Sequence, residues 1–315
     1  MSDNKGPRPA ALVSGTIIRI DARASQVATP GEVLHCVLRG RLTAAKGVDK
    51  RLLAVGDSVK VRPLGPGRGA IEEILPRRTK LSRRAAGPDR REQVVAANID
   101  QVVIVTSLAD PPLNLNLVDR YLVAASRGGL AALICLNKID CGAEADHAAA
   151  TAALRPYAAL GTPLVWTSAR TGLGIDALRD RLAGRTSVFA GKSGVGKSAL
   201  LNAVEPGLAL HSAEISAATG KGRHTTTFSS LLTLSNGGLV IDTPGIRAYT
   251  LWEVDPNDLD RHYPEIHAER GGCRFANCTH SHEPECAVKE AVAAGRIEER
   301  RFASYLRILA GLDEE

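Results

Sequence analysis

The fold is decided by Gly191-Lys192-Ser193-Gly194-Val195-Gly196-Lys197-Ser198, a stretch that fits the pattern G-x-x-x-x-G-K-[ST]. An apolar, strand-like run ends before it near Phe189, and a helical run begins after it at Ala199. Such a loop binds phosphates between a strand and a helix, because its glycines let backbone N–H groups turn inward. Lys197 is expected to reach the β- and γ-phosphates of a nucleotide, and the Ser198 hydroxyl to ligate Mg²⁺. We expect all eight residues and Ala199 to line the nucleotide.

A second motif, Asn137-Lys138-Ile139-Asp140, follows another apolar run and predicts which base is bound. The Asp140 carboxylate can accept hydrogen bonds from N1–H and the 2-amino group of guanine. Adenine offers neither donor, and a mismatched polar site of this kind discriminates by a factor of about 10⁴. Asn137 is expected to hold the base edge and the neighbouring loop, and the stem of Lys138 to cover the ring. A plain polar turn after a strand is the alternative.

A third motif, Thr167-Ser168-Ala169, ends the next apolar run and strengthens the guanine prediction. The backbone N–H of Ala169 is placed to meet the O6 atom of guanine, with Ser168 beside it. The predicted ligand is therefore GTP or GDP, and a site for ATP is disfavoured.

Two further motifs complete the expected magnesium site. Asp242-Thr-Pro-Gly245 follows a short apolar strand, where a carboxylate can hold Mg²⁺ through water and the N–H of Gly245 can sense the γ-phosphate. The polar stretch 222–227, Gly-Arg-His-Thr-Thr-Thr, suits a switch loop in which Thr225 or Thr226 completes the magnesium shell. The expected magnesium ligands are Ser198, Thr226 and Asp242.

The expected catalytic residues are Lys197 and His224. Ile246 stands directly after the motif of Asp242, where many GTPases have the glutamine that orients water, so unassisted hydrolysis should be slow. A neutral imidazole at His224 could accept a proton or hydrogen bond from the attacking water. A switch-loop histidine without catalytic duty is the alternative.

A Cys/His cluster near the C-terminus predicts a metal site. Its members are Cys273, Cys278, His280 and Cys286, three thiols and one imidazole within 14 residues. Four such ligands satisfy tetrahedral zinc and leave no position for water, so the site is expected to be structural. His267 and His282 are weaker alternatives as ligands. A redox pair is disfavoured because the cluster has no C-x-x-C spacing.

The chain divides into three modules by its pattern. Short strand-like runs separated by Gly, Pro and Asp fill residues 12–75, which favours an all-β barrel of the OB-fold type. Residues 76–93 lack an apolar period and are expected to be an extended linker. From residue 100 apolar strands alternate with helices, which predicts a parallel α/β sheet covered on both faces. The predicted domains are the barrel (1–84, with 1–10 disordered), the α/β domain with the basic linker (85–250) and a helical zinc-binding domain (251–315).

Basic residues make the charge uneven along a chain of 315 residues with a net charge of +6. Such clusters favour nucleic acid, although a solvated face or linker is the alternative for each. No run is long enough to span a bilayer, and the first ten residues lack a signal-peptide core, so we expect a cytoplasmic monomer without a membrane partner. The clusters comprise Arg77, Arg78, Lys80, Arg83, Arg84, Arg90 and Arg91, and near the C-terminus Arg296, Arg300, Arg301 and Arg307.

The order of the nucleotide motifs is rotated, because the base-reading motifs at 137 and 167 precede the phosphate loop at 191. With a barrel before them and a Cys/His cluster after them, they resemble the RsgA (YjeQ) family of small ribosomal subunit biogenesis GTPases along nearly the whole chain. The resemblance implies a circularly permuted GTPase domain, ribosome-stimulated hydrolysis of GTP to GDP and phosphate, binding to the small ribosomal subunit and its rRNA, and the same four zinc ligands.

Two other functions were weighed against this one. A nucleotide-independent RNA-binding scaffold with a vestigial GTP pocket is disfavoured because no residue of the nucleotide motifs is missing. An ATP-dependent kinase or motor is disfavoured by Asp140. The permutation also predicts that switch movement could pull on the C-terminal module, since the chain leaves the α/β domain soon after Gly245.

Overall fold

The computed structural model describes residues 11–21, 24–39, 53–85, 92–208, 229–242 and 254–311. Five strands at the N-terminus form a closed barrel in the order β1-β2-β3-β5-β4, with β4 pairing back to β1. Alternate side chains point inward, such as Leu34 and Cys36, which are 1% exposed. The predicted barrel is therefore confirmed. Its strands are β1 (Val13–Ile20), β2 (Ser25–Ala28), β3 (Val33–Leu38), β4 (Ser58–Gly65) and β5 (Arg68–Ile74).

The segment after the barrel is not an extended linker, as expected above, but an antiparallel hairpin of β6 (Lys80–Arg84) and β7 (Glu92–Ala97). Leu81 and Ala96 are fully buried in the main hydrophobic core, so the hairpin is held by packing. The sequence hid this strand pair because all but one of the side chains of β6 are polar or charged, and a two-stranded ribbon is stable only when it packs on a core.

The central sheet has the strand order β10-β9-β8-β11-β13-β12, and all its pairs are parallel except β12–β13. Every residue of β8 is buried, as expected for a strand covered on both faces. The elements in chain order are β8 (Gln101–Ser107), α1 (Leu115–Arg127), β9 (Ala131–Asn137), α2 (Glu144–Ala159), β10 (Leu164–Trp166), α3 (Ile175–Leu182), β11 (Thr186–Ala190), α4 (Lys197–Val204), β12 (Ser230–Thr233) and β13 (Leu239–Asp242).

The barrel and the central sheet are continuous through a single antiparallel residue pair, Arg19 with Ser230. The Ala97 amide also donates to the Val55 carbonyl (3.0 Å). Backbone groups thus take part directly in attaching the barrel to the central domain.

The C-terminal module is helical, as predicted, and packs against α1. Its helices are α5 (Pro264–Glu269), α6 (Ala287–Ala293) and α7 (Glu299–Leu309). Tyr263 and Tyr305 are fully buried and meet edge to face, with ring centroids 5.5 Å apart. They share one core with Val118 and Tyr121 of α1. Among the described residues, no helix combines the length and apolar character that crossing a membrane requires.

Candidate functional site

Those predicted nucleotide residues that the structure describes lie at the carboxyl ends of the parallel strands, where ligands bind in open α/β sheets. The loop 191–196 connects β11 to α4, and two of its glycines are required by close approach. Gly191 has φ of 147°, and a Cβ there would lie 2.1 Å from the Val105 carbonyl oxygen. Gly196 has φ of 92°, and a Cβ there would lie 2.4 Å from Nδ2 of Asn137. A side chain at either position would clash.

Lys197 opens helix α4 and folds back over the loop. Its ammonium group donates to the carbonyls of Gly191 (2.8 Å) and Lys192 (3.0 Å). Burial lowers the pKa of Lys197 to about 8, and the charge of Asp242 opposes the shift. Burial also raises the pKa of Asp242, against the charge of Lys197. The structure thus brings a lysine of one motif close enough to an aspartate of another for their charges to interact, and Ser198 directly follows that lysine in the chain.

Asn137 connects the three loops of the site. Its Nδ2 donates to the Val195 carbonyl in the phosphate loop (2.9 Å). Its Oδ1 accepts from the Thr167 hydroxyl (3.3 Å) and from the backbone N–H of Ala169 (3.2 Å). The side chain is 1% exposed, so these bonds are shielded from water. The N–H of Ala169, which was expected to face guanine O6, is used here within the protein.

Asp140 lies near the surface, in the loop that follows Asn137. The pKa of Asp140 is held below its usual range, mainly by a hydrogen bond from the Ser168 side chain. Burial of the carboxyl group acts in the opposite direction. The guanidinium of Arg170 adds a second contact, with Nε 2.6 Å from Oδ2. Lys138 has φ of 61°, and its ammonium group donates to the Asp110 carbonyl (2.6 Å).

Arg170 was missed by the sequence reasoning. The only available signal was its position directly after the motif 167–169, a place without a required residue type. Conversely, four predicted site residues lie outside the described residues, namely His224, Thr225, Thr226 and Gly245. Their roles stay predictions. Ser193 and Gly194 of the loop 191–196 are exposed.

The predicted metal ligands form a compact cluster. The ligand atoms of Cys273, Cys278, His280 and Cys286 all lie within 4.8 Å of one another. Nδ1 of His280 is 3.5 Å from Sγ of Cys273 and 3.4 Å from Sγ of Cys286. Burial raises the pKa of Cys278 to about 12, a cost that a bound cation would offset. The donor set and its spacing fit a metal ion.

The two alternative histidines are engaged elsewhere. Nδ1 of His267 is 2.8 Å from Oδ2 of Asp260, and Nδ1 of His282 is 3.0 Å from Oγ of Ser281. Neither belongs to the group of four possible ligands found among the described residues.

Comparisons with known proteins agree with this geometry. A family model described as RsgA GTPase matches residues 74–252. The small ribosomal subunit biogenesis GTPase RsgA of Ectopseudomonas mendocina is 42% identical, over 98% of this chain and 88% of its own length.

Two solved structures are also similar. YjeQ from Thermotoga maritima superposes with a TM-score of 0.75 and 34% identity, over 96% of this chain and 99% of the other. YloQ, described as a circularly permuted GTPase, gives a TM-score of 0.71 and 28% identity, over 97% and 96%. Coverage of both chains is nearly complete in each pair, and the motif order found in the sequence is that of a permuted domain. The chain therefore belongs to the RsgA family of small ribosomal subunit biogenesis GTPases.

Proposed function

We propose that this GTPase reads guanine with Asp140 and hydrolyses GTP to GDP and phosphate at an increased rate when it is bound to the small ribosomal subunit. One observation carries the nucleotide part. The bond from Asn137 to the Val195 carbonyl, 2.9 Å long, fixes the base-reading loop to the phosphate loop. This bond supports the proposal that a nucleotide with its phosphates in the loop 191–198 would have its base beside Asp140.

The residues of the site divide the chemistry of hydrolysis between them. Lys197, already directed into the loop, would stabilise charge on the transferring phosphoryl group. Mg²⁺, when bound with GTP, supplies further charge neutralisation at the phosphate oxygens, and Ser198, Asp242 and Thr226 would hold it. Asn137, Lys138, Ser168 and Ala169 would surround the base. His224 would position the attacking water as a neutral imidazole.

The metal site is proposed to bind one structural zinc ion. Three thiolates and an imidazole fill a tetrahedral shell, so no position is left for substrate or water. The ion would stabilise a module of about 60 residues that has little core of its own. Zinc removal should therefore disturb the C-terminal module first.

The proposed partner is the small ribosomal subunit and its rRNA. The relative from Ectopseudomonas mendocina carries a small-subunit biogenesis name, and this chain matches it over 98% of its length. Contacts to RNA phosphates would make the association dependent on salt. We further propose that the protein acts as a monomer and has no membrane partner.

The test is GTP hydrolysis by the zinc-loaded protein with and without purified small ribosomal subunits, at low and moderate salt. We expect a large stimulation that weakens as salt rises. Normal GTP binding without any stimulation would contradict the ribosomal part of the proposal and leave the family's GTPase activity standing.

His224 is tested in the same assay. The His224→Ala variant should bind GTP normally and lose roughly 100-fold or more of the stimulated turnover, the usual size of a lost acid–base or water-positioning contribution. Stimulated turnover equal to that of the unchanged protein would remove His224 from the mechanism.

A further inference from the structure

The guanine-reading carboxylate is already covered in this structure. Nε and Nη2 of Arg170 both lie 2.6 Å from Oδ2 of Asp140. The Asp140 side chain is only 12% exposed, whereas the Arg170 side chain is 74% exposed. Arg170 therefore covers Asp140 from the solvent side, while its own outer surface remains in water.

The covering group has the same donor chemistry as the base. Guanine presents N1–H and a 2-amino N–H side by side, and both groups can donate hydrogen bonds to one carboxylate. A guanidinium presents Nε–H and Nη–H in the same parallel arrangement, which is why arginine and carboxylates pair so often. The N1–C2–N2 edge of guanine is itself a guanidine fragment. Arg170 thus offers Asp140 the same type of donor pair that the base would offer, with both nitrogens placed against Oδ2 in this structure.

We propose that Arg170 is an internal competitor of guanine, which occupies Asp140 in the nucleotide-free protein and leaves when the base binds. The inference rests on the proposed reading of guanine by Asp140. Other groups stay in place after the exchange, because Ser168 also donates to Asp140 and Asn137 holds the loops together without Arg170. Only the solvent-exposed side chain has to move.

The expected effect is modest, because ion pairs with an exposed partner are weak and screened by salt. Removing the competitor should raise the association rate constant and the affinity for GDP by about two- to fivefold at low salt. The gain should shrink at high salt, where the pair in the unchanged protein is already weakened.

The experiment measures GDP binding to nucleotide-free, full-length protein by stopped flow and by equilibrium titration. Arg170→Ala should bind faster and more tightly, and Arg170→Lys, which keeps the charge without the fork, should lie between. Arg155→Ala removes an exposed arginine from α2 and serves as the matched control, with unchanged binding expected. Weaker or unaltered GDP binding by Arg170→Ala would overturn the inference.

A double-mutant cycle separates this inference from the proposed function. The Asp140→Asn variant should prefer xanthosine diphosphate over GDP, since an amide pairs with the 2-oxo group of xanthine. In that background Arg170→Ala should have almost no effect, because the pair it removes is no longer ionic. If Asp140→Asn leaves the base preference unchanged, the proposed guanine site fails. If the preference switches but the gain from Arg170→Ala persists there, only the competitor inference fails.

Discussion

The central domain is attached to its two neighbours in different ways. On the barrel side several bonds end on backbone groups, such as the Ala97 amide to the Val55 carbonyl (3.0 Å) and Nδ2 of Asn98 to the Gly56 carbonyl (2.9 Å), beside one ion pair of Arg77 with the buried Asp57. On the C-terminal side the bonds are between buried charged side chains. Asp119 of α1 is fully buried and accepts from Nη1 of Arg300 (2.9 Å).

The contact between the central domain and the C-terminal module, called here the C-terminal joint, is a connected network of side chains. The contact with the barrel is called the barrel joint. Asp119 also accepts from the Tyr157 hydroxyl (2.7 Å) and from Arg301. Arg301 is 4% exposed, pairs with Glu265 (2.7 Å) and lies over the rings of Tyr157 and Tyr263. A buried network of this kind is costly to break at any member. Backbone bonds, in contrast, survive most side-chain substitutions, so the two joints should respond differently to mutation.

The C-terminal joint also lies close to the nucleotide site. Helix α1 begins after the loop 108–114, and a groove of about 390 Å³ is lined by Asn114, by Lys192 of the phosphate loop and by Arg300 of α7. The C-terminal module is thus next to the phosphate loop in space, in addition to following the switch motif of Asp242 in the chain.

The largest expected effect is at Asp119. Asp119→Ala leaves Arg301 buried without its main counter-charge and should lower the free energy of unfolding by about 3–5 kcal/mol. Urea denaturation of the zinc-loaded protein measures this. The control is Asp258→Ala, which removes an exposed pair with Arg261 and should cost less than about 1 kcal/mol. Equal losses in the two variants would refute the contrast between a buried network and a surface pair.

A smaller effect is expected at the barrel joint. Asn98→Gly removes the bond to the Gly56 carbonyl and the bond from the Arg78 amide (2.8 Å), while glycine tolerates the φ of 53° at this position. The loss should be about 1–2 kcal/mol, because only the bond to Gly56 is partly buried and the bond from Arg78 is exposed. Hydrogen exchange should show faster opening at β7 and no change at α7. Increased exchange at α7 would mean that the two joints are not independent.

The smallest effect concerns acid stability of the C-terminal module. Burial alone would raise the pKa of Asp260, but the hydrogen bond from His267 and the charge of Arg270 hold it below its usual value. A lowered carboxylate pKa contributes stability above the unfolded-state value, near pH 4, which is lost as pH falls through the folded-state value. Asp260→Asn should therefore flatten the loss of stability below about pH 4. If the free energy of unfolding of Asp260→Asn falls with pH as steeply as that of the unchanged protein, this contribution is ruled out.

Those features could be predicted whose cooperating residues lie close together along the chain. The phosphate loop and the motif of Asp140 are each one uninterrupted stretch of sequence with a characteristic residue pattern. Their identity and their position at strand ends were therefore predictable. The four residues of the Cys/His cluster lie within 14 residues, so their grouping was predictable for the same reason. The barrel could be predicted from its short alternating strands.

The joints could not be predicted. Arg300 and Arg301 were interpreted as part of a nucleic-acid or solvated cluster, but they pair with Asp119, which is about 180 positions away in the chain. Arg77, in the other basic cluster, pairs with the buried carboxylate of Asp57 (2.7 Å). A charge cluster in a sequence does not show which charges are neutralised internally, since that depends on tertiary contacts. Arg170 was missed for the same reason.

The central claim, that Asp140 and the phosphate loop form one guanine-nucleotide site, is tested most directly by competition between nucleotides. GTP, ATP and xanthosine triphosphate would compete for the unchanged protein and for Asp140→Asn. We expect the unchanged protein to prefer GTP over ATP by a factor of about 10⁴, and the variant to prefer xanthosine triphosphate. Equal binding of ATP and GTP by the unchanged protein, or a variant that still prefers GTP, would contradict the claim.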